Sequence, residues 1–206
     1  MNMKSASEAS AKKYDRMGAG YDTVTKIADK SVLDRMRRGL VEKAQGRVLD
    51  VGVGTGKNFD YYEHATSVVG IDLSSKSLET AREKARHKGI THELRVGDVT
   101  NLEFADGSFD TVVMCLVACN LDDPIKAFRE MRRVCKKDGY ILFLEHTPPT
   151  TVAMNMLFGA VYPIARLALN CRPFSKNVSL IPDAGLREVT RETAAQGVLN
   201  AIVTQP

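Results

Sequence analysis

Apolar residues recur along the chain with two periods, and the switching between them predicts an alternation of strands and helices. Leu33, Met36 and Leu40 recur at helical spacing within 22–43, with Arg35, Arg37 and Arg38 between them. Gly46 is the expected stop of that helix. The run 47–51 reads as a buried strand, and a short helix is expected over 57–64. Residues 67–72 read as a second strand. Ser74 or Ser75 is placed to cap a helix reaching about Lys88, whose inner face is Leu78, Ala81 and Ala85 and whose stop is Gly89. Residues 93–96 form a third strand. Residues 109–117 give the strongest strand signal, Val-rich and continuous enough to be covered on both faces. Asp122 or Asp123 caps the next helix, with Pro124 in its first turn and Ile125, Phe128, Met131 and Cys135 along its apolar stripe. Lys136 and Lys137 suit its last turn and Gly139 its end. Residues 140–145, 186–190 and 198–203 are three further strands.

Strands that alternate with helices imply right-handed crossovers and a parallel sheet covered on both faces. The last two strands are joined only by 191–197, a length that suits a hairpin better than a helical crossover. The expected fold is α/β: a doubly wound, mostly parallel seven-stranded sheet with an antiparallel edge strand. Residues 1–45 form a separate N-terminal segment whose first dozen residues read as a flexible tail. Residues 46–206 form the main domain, with an apolar insertion near 147–182.

Composition narrows the class. The 206 residues carry 29 Lys+Arg against 25 Asp+Glu, a formal charge of +4, with 44% hydrophobic and 26% charged residues. That is a globular mix, which excludes a mostly disordered chain. The cysteines, Cys115, Cys119, Cys135 and Cys171, form no C-x-x-C pair and no disulfide scaffold. Cys115 and Cys119 lie at helical spacing, but no neighbouring His or Cys completes a zinc set, so no metal is expected. Residues 1–13 lack the apolar core of a signal peptide. The longest apolar stretch, 152–169, is broken by Asn155, Pro163 and Arg166 and falls short of a membrane span. The expected location is the cytoplasm. The basic excess is compatible with peripheral contact on an anionic membrane, or with a phosphate-bearing partner, and establishes neither.

The chemistry concentrates at the ends of the first three strands. The first delivers Asp50-Val51-Gly52-Val53-Gly54-Thr55-Gly56, whose alternating glycines let the backbone bend sharply and approach a ligand. Asp72 ends the second strand, where a carboxylate can accept from both hydroxyls of a ribose. Asp98 follows the third, where it can accept from an exocyclic amine such as adenine N6. Two rival nucleotide motifs fail. A dinucleotide fingerprint needs Gly or Ala where Lys57 stands, and a P-loop needs different residues at Val51 and Asn58.

The segment 48–56 resembles motif I of the class I S-adenosylmethionine-dependent methyltransferases. Gly70-Ile71-Asp72-Leu73-Ser74 is similar to their second-strand acidic loop, and Gly97-Asp98-Val99 to their adenine-contact motif. Residues 108–113 and 129–140 resemble their fourth strand and following helix. The resemblance covers about 48–145, and its motifs stand in the family's order. Lys136-Lys137-Asp138-Gly139 departs from the family's usual Lys-Pro-Gly-Gly, which alters a turn and no ligand contact. The resemblance implies a Rossmann-like methyltransferase fold with S-adenosylmethionine as cofactor, S-adenosylhomocysteine as product and no metal. Gly52, Val53, Gly54 and Gly56 would line the methionine part, and Asp50 would hold its ammonium, directly or through water. Asp72 and Leu73 would meet the ribose, and Asp98 and Val99 the adenine. Cys115 and Leu116 would face the methionine portion with their backbone. The Tyr-Asp pairs at Tyr14 and Tyr21 would place the N-terminal helices over the cofactor as a lid, with simple packing of both tyrosines an equal alternative.

Substrate groups must then come from outside the cofactor half. Asn120 follows the fourth strand and can donate or accept. His146 ends the fifth and is the best general-base candidate, because imidazole titrates near neutrality; a structural role is its alternative. Tyr21 is the third catalytic candidate. The insertion 151–170, rich in Met, Leu and aromatic residues, can fill core, form an apolar substrate wall or touch a membrane through Arg166 and Arg172. The pattern is similar to the branch of ubiquinone/menaquinone C-methyltransferases, phosphatidylethanolamine N-methyltransferases and alkyl-thiol methyltransferases. Gly52-Val53-Gly54-Thr55-Gly56 matches the phospholipid enzymes, while Glu145-His146 and Asn170-Cys171-Arg172 look more like the thiol enzymes. The expected activity is methyl transfer to a small or lipid-like apolar acceptor: a phospholipid amine, a quinol carbon or a thiol. The alternative is a non-catalytic cofactor-binding or scaffold protein that uses the insertion as a partner interface. Nucleic acid is not expected as a partner, since residues 115–120 lack the family's nucleobase-methylating motif and no aromatic-rich basic stripe exists.

Overall fold

Successive side chains of a strand leave on opposite faces, and in this chain both sets are apolar. The structure, a computed structural model, describes residues 32–86, 92–149 and 177–206, with Gly159. Seven strands form one sheet: β1 (Gln45–Val51), β2 (His64–Asp72), β3 (His92–Val96), β4 (Phe109–Cys115), β5 (Cys135–His146), β6 (Arg187–Ala194) and β7 (Leu199–Gln205). Their order is β3-β2-β1-β4-β5-β7-β6. The first five strands are parallel, and β7 runs antiparallel to both β5 and β6. This is the doubly wound, mostly parallel sheet expected. The antiparallel strand stands one place inside the edge, with β6 outermost.

Parity along the central strands assigns each face its helices. Leu49, Val51, Val112, Met114, Ile141 and Phe143 pack with Phe128, Met131 and Val134 of α3 (Pro124–Val134). Val48, Val68, Val113, Leu142 and Leu144 pack with Met36 and Leu40 of α1 (Val32–Val41) and Leu78 and Ala81 of α2 (Ser75–Arg86). By the same parity Asp50, Cys115 and His146 fall on the α1 side and Glu145 on the α3 side.

Helix ends obey their caps. The Ser74 hydroxyl accepts from the Ser77 amide at 3.1 Å, and the Asp123 carboxylate accepts from the Lys126 amide at 2.9 Å behind Pro124. A three-residue left-handed turn, Ala195, Gln196 and Gly197, joins β6 to β7.

Several boundaries differ from the sequence pattern, each for a local reason. The first helix ends at Val41, and Gly46, with φ 65°, instead opens β1 where a Cβ would strike the Asp110 carboxylate. Residues 57–61 form a short 3-10 turn rather than a helix to His64, because Asn58 and Tyr62 are drawn into the floor of the sheet. The strand β4 stops at Cys115 because Leu116 turns left-handed, with φ 59°. Cys135, Lys136 and Lys137 belong to β5, not to the preceding helix. Lys136 Nζ pairs with Asp110 at 2.5 Å, and Gly139 lies so close to β4 that a Cβ would sit 2.6 Å from the Asp110 carbonyl oxygen. The helix stripe is Ala127, Phe128, Met131 and Val134, with Ile125 only half-buried. The stop at Gly89 lies outside the described residues, as do the N-terminal segment 1–31 and the insertion 151–170, Gly159 apart.

The Phe128 and Phe143 rings meet edge to face at 5.1 Å and 74°, both excluded from solvent. Replacing Phe128 with Ala is expected to lower the unfolding free energy by about 3–5 kcal/mol. Urea denaturation followed by circular dichroism measures it, and a loss below about 1 kcal/mol would contradict this packing.

Candidate functional site

The sheet order reverses between β1 and β4, so a crevice opens beyond their carboxyl ends. The parallel register brings Gly52, Asp72, Asp98, Leu116 and His146 to that one edge: Val51 stands opposite both Ile71 and Met114, and Cys115 opposite Leu144. With strands about 4.8 Å apart, three steps separate Asp72 from His146 by roughly 14 Å. His64 and His92 open their strands and lie at the opposite edge.

The bend after β1 has three left-handed glycines, Gly52, Gly54 and Gly56, with φ 69°, 54° and 77°. Gly52 and Gly56 are needed inside the fold: a Cβ would strike Val117 at 2.4 Å and the Phe59 ring at 2.5 Å. Gly54 is different. A Cβ there would meet nothing nearer than 4.0 Å, so the bend shows bare backbone to open space. The bend is bonded to the end of β2. The Gly52 and Val53 amides donate to the Ile71 carbonyl at 2.8 and 3.0 Å, and the Gly54 amide donates to Asp72 Oδ2 at 2.9 Å. Asp72 Oδ1 also accepts from the Ser74 amide at 2.8 Å, which fixes the carboxylate from both sides. Leu73 follows, half-buried.

Asp98 is held by Thr100, whose amide and hydroxyl both donate to Oδ1 at 2.8 and 2.9 Å. Its Oδ2 makes no hydrogen bond among the described residues. Val99 is buried in the core below. A cavity of about 130 Å³ opens beside Asp98, with Ile71, Val96 and Phe104 among its apolar lining.

Asp50 takes a position that the sequence does not reveal. It is fully buried, and it accepts from Asn58 Nδ2 at 3.0 and 3.2 Å and from the Tyr62 hydroxyl at 2.8 Å. A carboxylate offers about four acceptor sites, so three are filled from below the bend. Burial pushes its pKa from the ordinary 3.8 up to about 6, against the opposing pull of Tyr62, Asn58 and the Arg37 charge. Burial also pushes the Cys115 thiol up to about 12, so it is no thiolate nucleophile at neutral pH.

The loop after β4 is held from the α3 face. Glu145, buried at the end of β5, accepts from the Val117 and Ala118 amides at 2.8 and 2.9 Å, and Asn177 donates to the Ala118 carbonyl. This arrangement sustains the strained Leu116 conformation. Asn120 closes the loop, and its Oδ1 is buried without a hydrogen-bond partner among the described residues. His146, half-buried, stands opposite Leu199 of β7. The three described cysteines are free, with Cys119 and Cys135 buried. Tyr14, Tyr21, Cys171, Arg166 and Arg172 lie outside the described residues. Among the described residues no group of three His, Cys, Asp or Glu is placed to hold a metal, and no helix is long and apolar enough to cross a membrane.

Arg37, Asn58, Tyr62 and the loop-holding role of Glu145 went unread in the sequence. Asn58 carries the one available signal: it is an amide two residues past a triple-glycine bend.

The family model described as "Methyltransferase domain" matches residues 49–143. A phosphatidylethanolamine N-methyltransferase of Cereibacter sphaeroides is 43% identical over 103 residues, 49% of this chain and 51% of its own length. A demethylmenaquinone methyltransferase of Renibacterium salmoninarum is 34% identical over 162 residues, 74% of this chain and 67% of its own length. The chain thus spans about half to two thirds of the length of these curated relatives. Among solved structures, an S-adenosylmethionine-dependent methyltransferase of Clostridium acetobutylicum superposes with a TM-score of 0.66 at 13% identity, covering 90% of this chain and 98% of that one. At that identity the likeness is one of fold.

The raised Asp50 pKa sets a pH dependence. Relative to an unfolded chain titrating near 3.8, Asp50 contributes stability that is complete below about pH 4 and is lost as pH rises through 6. The loss amounts to about 3 kcal/mol. The difference in unfolding free energy between the wild type and Asp50→Asn should therefore move by about that much between pH 4 and 7, in favour of the variant. A difference that stays constant over this range would contradict the burial of an ionisable carboxyl at this position.

Proposed function

The chain belongs to the class I S-adenosylmethionine-dependent methyltransferases, and from that membership we propose that it transfers a methyl group to a small or lipid-like apolar acceptor. The observation that carries the cofactor half is the open face of Gly54 beside two carboxylates fixed at the ends of the next two strands of the sheet. The residues fit an adenosyl amino acid. Asp72 would accept from the ribose hydroxyls, with Leu73 beside them. Asp98 presents an unused carboxylate oxygen next to an apolar cavity, the combination that a purine with an exocyclic amine requires. The bare backbone of Gly52, Val53, Gly54 and Gly56 suits the methionine part, with Asp50 beneath and Cys115 and Leu116 across. When bound, S-adenosylmethionine supplies a methyl group on a cationic sulfur that an electron pair can displace.

The chain's own contribution is alignment and dryness. The loop 116–121, locked by Glu145, positions the acceptor side of the crevice, and Asn120 offers a buried oxygen to an acceptor N–H or O–H. His146 would take the proton when the acceptor is a thiol, a quinol or an ammonium, and it has no proton to move for an acceptor that reacts without losing one. A thiolate or enolate gains most from a water-excluded site, since charge is lost on the way to the transition state. Tyr14 and Tyr21 would close the site from the N-terminal segment. The names of the two relatives above, one acting on phosphatidylethanolamine and one on demethylmenaquinone, support a lipid acceptor. A lipid acceptor would place the work in the cytoplasm at a membrane surface, with the apolar insertion 151–170 as the contact.

Isothermal titration should show binding of S-adenosylmethionine and S-adenosylhomocysteine. Asp72→Ala should weaken that binding by roughly tenfold to a hundredfold, the worth of one charge-assisted hydrogen-bond pair. Turnover of labelled S-adenosylmethionine against thiols, quinols and phospholipids then identifies the acceptor. Binding without turnover on any of the three classes would contradict the acceptor assignment.

A further inference from the structure

Among the described residues Arg37 is the only buried cation, 6% exposed on α1. A buried guanidinium needs a compensating partner, which is commonly a carboxylate. Here its hydrogen-bond partner is an amide. Arg37 Nη1 donates to Asn58 Oδ1 at 2.8 Å, and Asn58 Nδ2 donates to both oxygens of Asp50 at 3.0 and 3.2 Å. A carboxamide has one accepting and one donating end. With a cation on one side and a carboxylate on the other, only one orientation of Asn58 satisfies both. The chain Arg37–Asn58–Asp50 therefore joins α1 with the carboxylate directly beneath the glycine bend.

We propose that Arg37 is a positioning residue of the methyl-donor site, which acts through Asn58 to keep the Asp50 carboxylate ionised and aimed at the donor's ammonium group. This rests on the cofactor assignment given above. The groups facing Asp50 are few. Arg37 from α1 stabilises its charge, Tyr62 and Asn58 from the β1–β2 crossover do so by hydrogen bonds, and Asp72 from β2 opposes it. Cys115 from β4 is close and stays a neutral thiol, with Glu145 of β5 beyond it. With its charged form under the strain of burial, Asp50 titrates close to neutrality, and loss of the Arg37 charge moves that titration upward.

The test is titration calorimetry of the full chain with S-adenosylhomocysteine between pH 5 and 8.5, with thermal unfolding recorded at each pH. The wild type should lose affinity as pH falls through about 6. Arg37→Gln should move that loss upward by about one pH unit, which weakens binding by about fivefold at pH 6 and about twofold at pH 7, with recovery toward pH 8.5. Arg37→Lys should restore part of the effect. Asn58→Ala, which leaves the cation in place and removes the relay, should reproduce it. In an Asp50→Asn background, Arg37→Gln should leave the pH profile unchanged. Equal weakening at every pH, or no change, would overturn the positioning role while leaving the cofactor assignment intact. Absence of any binding by the wild type would overturn the assignment and this role together.

Discussion

A hydrogen bond between two strand ends governs the candidate site: the Gly54 amide donates to the Asp72 carboxylate. Two strands that end side by side need not cooperate, because loops beyond a sheet edge commonly go separate ways. Here the bend after β1 lies on the end of β2, with the Gly52 and Val53 amides on the Ile71 carbonyl. This is possible only because the glycines take left-handed conformations that side chains resist. The bend presents backbone outward at Gly54 while Gly52 and Gly56 close against Val117 and Phe59. The proposed ribose and methionine contacts follow from this docking, since it fixes Asp72 relative to the open backbone.

Two buried carboxylates support this edge from opposite faces. Asp50, on the α1 side, gathers Asn58 and Tyr62 under the glycine bend. Glu145, on the α3 side, gathers the Val117 and Ala118 amides under the loop after β4. Strand parity alone puts them on different faces, and each anchors the wall on its own side of the switch point. Buried charges are costly unless paired and hydrogen-bonded, so their presence at 0% and 2% exposure marks the segments whose shape the fold must hold.

The sheet, mostly parallel with an antiparallel hairpin at one side, was largely legible in the sequence, because it depends on patterns that are local. Apolar runs gave the strands, and glycine spacing with Asp72 and Asp98 at strand ends gave the motif. The short link 191–197 gave the hairpin. What the sequence concealed is non-local. Asn58 and Tyr62 read as part of a short helix over 57–64 until Asp50 draws them inward. Lys136 reads as a helix terminus until Asp110, on a neighbouring strand, claims it. Arg37 reads as one of three arginines between the apolar positions of its helix, and only the packing of α1 on the sheet singles it out. Asn120 and His146 stand at the edge where their positions in sequence put them, and the chemistry assigned to each is a proposal that rests on that placement.

The most direct measurement is a crystal structure of the protein with S-adenosylhomocysteine. The account predicts both ribose hydroxyls on Asp72, the adenine amine on Asp98, the amino-acid end over Gly52 to Gly56, and open space beyond the sulfur bounded by Asn120 and His146. A ligand bound away from the glycine bend, or a side chain filling the space before Gly54, would contradict it.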